Sequence, residues 1–119
     1  MNEGTRVEVD LADEERGLLW RGLLEWGGPA RCTEAMAVAM GFEGISGLLN
    51  QGQQIAEELR DGRALTRKDW RRALLATEVA FASNVVGSGL DWLTTTGLND
   101  EETLRTLRSV QRKLLVSAS

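Results

Sequence analysis

Residues 45–60, ISGLLNQGQQIAEELR, set Ile45, Leu48, Leu49, Gly52, Ile55, Ala56 and Leu59 at the i, i+3, i+4 spacing of one helical face. Such a stripe has to be buried, and the period of the chain on either side is helical too. Helices must therefore pack on helices. Asp61-Gly62 closes this segment.

The same reading, extended in both directions, gives an all-α bundle of about five helices. Residues 5–9, TRVEV, alternate enough for a short extended N-terminal arm covering 1–9. A first helix is expected to be capped by Asp10 with Asp13, to carry Asp13, Glu14 and Glu15 at its N-terminal end, and to stop after Trp26 at Gly27-Gly28. Pro29 suits the first turn of a second helix ending at Gly41. Thr66 followed by Asp69 opens a fourth, 67–86, which ends at Gly87 and is expected to be the most buried. GSGLDWLTTTGLND, 87–100, reads as a loop. Asn99 with Glu102 caps the last helix, with Leu104, Leu107, Gln111 and Leu114 on one side and a frayed tail at 116–119.

A length of 119 residues fits one domain, 1–119, large enough for a core without metals or disulfides. The lone cysteine, Cys32, cannot form an internal disulfide and fits a reducing compartment. The opening MNEGTRVEVD is polar and unlike a signal peptide, and no apolar run is long enough to span a bilayer, so the expectation is a cytoplasmic protein with no membrane partner. Twelve Arg against two Lys, with abundant Gly and Ala, suggests a high-GC bacterial genome. The 119 residues contain no histidine, which removes His-dependent acid–base catalysis, His-ligated zinc, and Ser-His or Cys-His nucleophile pairs.

Glu78 interrupts the apolar stretch LLATEVAFAS, with Leu74, Leu75, Phe81 and Ala82 as its i±3 and i±4 neighbours. It is expected to be buried. A carboxylate buried alone costs several kcal/mol, so a partner is required. That partner is expected to be an Arg or an indole N–H of Trp20, Trp26, Trp70 or Trp92. Packing explains Glu78 better than proton transfer, since no second convergent group is evident; Asp91 and Asn84 are the nearest candidates. Gly87-Ser88-Gly89 follows a helix instead of opening one, which reads as a helix cap and not a phosphate loop. Gly17, Gly22, Gly47 and Gly52 lie inside helices, where close crossings are the expected reason. Cys32 lacks an activating base and reads as a packed thiol.

Two basic features and one apolar feature point outward. Arg60, Arg63, Arg67, Lys68, Arg71 and Arg72 face only Asp61 and Asp69 between positions 60 and 72, while seven acids face three bases in 1–25. A solvent-exposed positive pole opposite an acidic N-terminal segment is the expectation. Arg105, Arg108 and Arg112 repeat at helical spacing on the last helix. Both faces can track phosphates or an acidic protein, or be plain solvated surface. On the first helix, Trp20 and Leu24 sit on a different side from Leu18, Leu19, Leu23 and Trp26, which points to a second partner or a dimer interface.

The reading that follows is a non-catalytic helical protein acting by protein–protein interaction, of the physical kind of regulators, antitoxins and toxin-immunity proteins, and able to act as a homodimer. Its partner-binding residues are Trp20, Leu24, Arg63, Arg67, Lys68, Arg71, Arg105, Arg108 and Arg112, with no cofactor or metal. The alternatives are a nucleic-acid-associated regulator using the Arg60–Arg72 and Arg105–Arg112 faces, and a small-ligand binder or enzyme centred on Glu78.

Overall fold

A computed structural model describes residues 5–26, 32–83 and 100–117. The described elements are β1 (Arg6–Val7), α1 (Asp13–Glu25), α2 (Glu34–Ala39), α3 (Ile45–Arg60), β2 (Leu65–Thr66), α4 (Arg67–Ser83) and α5 (Asp100–Ser117). The fold is all-α, with one two-stranded antiparallel ribbon in which Arg6 pairs with Thr66 and Val7 with Leu65. The α3 boundaries match the apolar stripe that set them. Expectations for Gly27-Gly28, Pro29, Asn84, Gly87, Asp91, Trp92 and Asn99 lie outside the described residues.

Local chemistry corrects several ends. The N-cap of α1 is Ala12, not Asp10, and the Glu15 carboxylate reaches back to accept the Ala12 N–H at 2.7 Å. Within the described residues α2 begins at Glu34, where Thr33 Oγ1 accepts the Met36 N–H at 3.1 Å. Gly44, the N-cap of α3, has φ 114° and no side chain, so Glu34 Oε1 supplies the missing acceptor to Ile45 N at 3.1 Å. Thr66 does cap α4, accepting the Asp69 N–H at 3.1 Å. At the other end of the chain, Val116 and Ser117 are helical instead of frayed.

Helix α1 makes the principal contacts with α3, α4 and α5, and so takes the central position expected of α4. The reason is side-chain size. Beyond the buried Trp70 and Arg72 in its first turns, the buried face of α4 is Ala73, Ala76, Thr77 and Ala80, small residues at i, i+3, i+4, i+7. A Cβ on Gly22 would lie 2.7 Å from the Thr77 Cα, so α1 and α4 cross almost backbone to backbone there. Gly17 has open space beside it, and Gly47 and Gly52 only ordinary contacts, so the close-crossing argument applies to Gly22 alone of the four. On α5 the buried stripe is Thr103, Leu107, Val110 and Leu114; Leu104, placed on it by the sequence reading, is exposed.

The N-terminal arm lies beside the start of α4. Val7 O accepts the Trp70 indole N–H at 2.8 Å, and Arg6 pairs with Glu58 at 2.7 Å while donating to Ala64 O at 2.8 Å. The acidic N-terminal segment is therefore not opposite the 60–72 cluster: β1 pairs with the strand immediately preceding Arg67. No helix among the described residues is long and apolar enough to cross a membrane.

Candidate functional site

Rotation of α4 decides where Glu78 goes. With Ala73, Ala76, Thr77 and Ala80 turned to α1, the adjacent face carrying Arg71, Leu74 and Glu78 turns toward α5. Glu78 is half-buried, not enclosed, and its partner is neither an Arg nor an indole: Oε2 accepts a short hydrogen bond from Gln111 Nε2. Among the described indoles, Trp26 donates to Ala76 O at 3.0 Å and Trp70 to Val7 O, while the Trp20 ring lies under the Arg60 guanidinium at 5.9 Å.

Gln111 has two faces, and both are used. Its Oε1 accepts from Arg108 Nη1 at 3.2 Å while its amide donates to Glu78, which fixes the side chain between a cation and an anion. Around this relay is an open cleft of about 480 Å³ between α4 and α5. Trp70, Arg71, Leu74 and Glu78 form one wall; Arg108, Gln111, Leu114 and Leu115 form the other. Leu115 is 70% exposed, and Arg71 is exposed with no ion pair or hydrogen bond from its guanidinium among the described residues. Glu78 is the only acid lining the cleft among the described residues.

The two basic faces are divided by the fold. Arg60, Arg63, Lys68 and Arg71 are exposed, and Arg67 is half-buried with an Nε that has no partner among the described residues. Arg72 departs from the expected exposed cluster: it is buried, donates from Nε to Gly41 O at 2.8 Å, pairs with Asp69 at 3.2 Å, and covers the Phe42 ring at 5.0 Å. It fastens α4 to the turn after α2. On α5, Arg105 pairs with Glu101 at 3.3 Å and lines a groove with Asp13 and Glu14. Arg112 lines a shallow depression with Val9 and Asp10. Of that stripe only Arg108 faces α4.

Trp20 is half-buried and Leu24 is 42% exposed. Leu24 joins Leu23, Leu48, Leu49 and Gln53 around a small apolar groove of about 250 Å³ between α1 and α3. Because α1 is central, packing on three helices already explains part of its second apolar side.

Two carboxylates of α1 are enclosed in the bundle, Glu15 and Glu25, each at 4% exposure, and Glu15 is the one that α5 engages. Its Oε1 accepts from Lys113 Nζ at 2.6 Å and its Oε2 from the Ser109 hydroxyl at 2.7 Å. Burial alone raises its pKa, but the Lys113 and Ser109 hydrogen bonds, the Ala12 N–H and the Lys113 charge together hold it below the usual carboxylate range. The signal was present in the sequence, since Glu15 begins the i, i+3, i+4, i+7 stripe continued by Leu18, Leu19 and Gly22. Gln111 left a similar trace, as a polar residue counted within an apolar stripe. Cys32 is a thiol raised in pKa mainly by burial and further by Glu34, against a lowering by the Ala37 N–H. Among the described residues no cluster of acidic or thiol side chains is arranged to hold a metal ion.

Compared with protein-family models, curated proteins and solved structures, the chain matches none.

Proposed function

We propose that this is a non-catalytic helical protein that acts by binding another protein. The observation that carries the reading is the α4/α5 cleft, where exposed apolar surface at Leu115 lies with Arg108 and with Arg71, which has no ion pair among the described residues. Apolar area supplies affinity on such a surface, and fixed charges at its edge select the partner and speed encounter. Glu78, the one carboxylate among the described residues of the cleft, is engaged by Gln111, which supports a packing role over proton transfer. Regulators, antitoxins and immunity proteins act in this way. The test is affinity purification with the wild-type chain and with an Arg71→Glu/Leu115→Asp double variant. A protein bound by the first and lost from the second supports the reading; equal recovery on both removes the cleft from it.

A small-ligand reading has one observation in its favour: the cleft reaches Glu78, and its volume falls within the roughly 300–1,000 Å³ of small-molecule sites. Native mass spectrometry of the purified protein checks it, since a retained small molecule displaced by Glu78→Ala would move the assignment. Self-association through the Leu24–Leu49 groove is checked by sedimentation of a Leu24→Glu variant. Nucleic-acid binding through the basic residues would give a steep salt dependence in filter binding.

A further inference from the structure

We infer that the α4/α5 cleft receives a short acidic amphipathic helix of a partner protein, with apolar side chains against Leu74 and Leu115 and carboxylates on Arg71 and Arg108. This rests on the protein-binding reading and gives the partner a chemistry. Each wall of the cleft is itself a helix, and its contact residues repeat at helical spacing: Arg71, Leu74 and Glu78 on α4, and Arg108, Gln111 and Leu115 on α5. A groove between two helices with that repeat is the surface into which a third helix inserts its own i, i+3, i+4, i+7 side chains.

Charge chooses the sign of the occupant. Arg71 has no acidic partner among the described residues, and Arg108 is held only by the neutral Gln111 amide there, so both guanidinia keep donors for an incoming carboxylate. One turn before Arg71 on the same side of α4, Arg67 adds a third cation whose Nε is buried without a partner among the described residues. Glu78, the sole acid among the described residues of the cleft, already accepts from Gln111. A basic peptide would meet three cations and a carboxylate already in use.

The test works whatever the partner is. A displayed library of random peptides of about 16 residues, roughly four helical turns, is panned on the full chain. Enriched peptides are expected to carry Leu, Ile or Phe at helical spacing with flanking Asp or Glu, and to gain helical circular dichroism on binding. Affinity should fall roughly tenfold or more on Arg71→Glu, Arg108→Glu or Leu115→Asp, and stay unchanged on Val38→Asp, an exposed position of α2 outside the cleft lining. All three cleft substitutions are at exposed positions, and circular dichroism of the free variants verifies their folding. Enriched peptides that bind all three variants equally, or that are basic or extended, overturn the inference while leaving protein binding intact. If no peptide is enriched, and decanoate or a single-stranded oligonucleotide perturbs the cleft instead, both the inference and the protein-binding reading fall. Absence of enrichment with no other ligand bound also overturns the inference.

Discussion

Arg71 and Arg72 are neighbours with opposite fates, because 100° of helical rotation separates solvent from the Gly41 carbonyl. Replacing Arg72 with Ala leaves that carbonyl without its donor and uncovers Phe42, at an expected cost of about 1–3 kcal/mol. Arg71→Ala should change stability by no more than about 0.5 kcal/mol. Urea unfolding of the two variants side by side checks the pair, and equal losses would contradict the assignment of Arg72 to packing. Gly22 permits a sharper test. A methyl there would press on the Thr77 backbone, which cannot rotate away, so Gly22→Ala should destabilise by roughly 1–3 kcal/mol in spite of Ala's better helix propensity. Gly17→Ala, with open space beside it, should be neutral or stabilising.

At the scale of elements, the helices depend on one another for their ends. Helix α3 has the clearest apolar stripe but no side chain at its own N-cap, and Glu34 of α2 fills that place. Glu34→Ala is expected to cost about 1 kcal/mol and to speed amide exchange in the first turn of α3, even though Glu34 lies outside that helix. Hydrogen exchange at residues 45–49 is the measurement, and unchanged rates there would reject the cap. The strand pair has a similar logic. Two residues of β1 do not make a stable hairpin alone, but Val7 O holds the Trp70 indole, and Arg6 ties the arm to Glu58.

On the whole molecule, α5 packs on α1 with Leu107, Val110 and Leu114 buried, and the enclosed Glu15 ties the two helices through Ser109 and Lys113. The folded pKa of Glu15 is depressed, so the unfolded chain binds more protons between the two values and stability rises with pH across that window. Its contribution is complete above the usual carboxylate range and is lost as pH falls through the lowered folded value. The unfolding midpoint of the wild-type chain should therefore drop more steeply on acidification than that of Glu15→Gln, measured by urea titration at a series of acidic pH values. Parallel acid limbs would show that Glu15 is not the linked group. Lys113→Met, which leaves the Glu15 charge without its cation, is expected to raise exchange in α5 before α1, α3 and α4.

Hydrophobic period, caps and charge are local properties, and they were enough to establish an all-α chain, the limits of α3, the Thr66 cap of α4 and a surface rich in arginine. Which face of each helix turns inward is not local. The large apolar residues of α4 placed Glu78 at the middle of its buried arc, but close approach to Gly22 favours small residues, so Ala73, Ala76, Thr77 and Ala80 took the core and Glu78 turned to Gln111. The same rotation buried Arg72, left Arg71 facing the cleft, and assembled a candidate site from residues 70–78 and 108–115. Glu15 shows the complementary case, a residue placed by its sequence position at a helix N-terminus and enclosed because α5 brings Lys113 and Ser109 to it. Periodicity measures how apolar a face is; only packing decides how near its neighbour comes, and that distance sorted the polar residues of this protein into core and cleft.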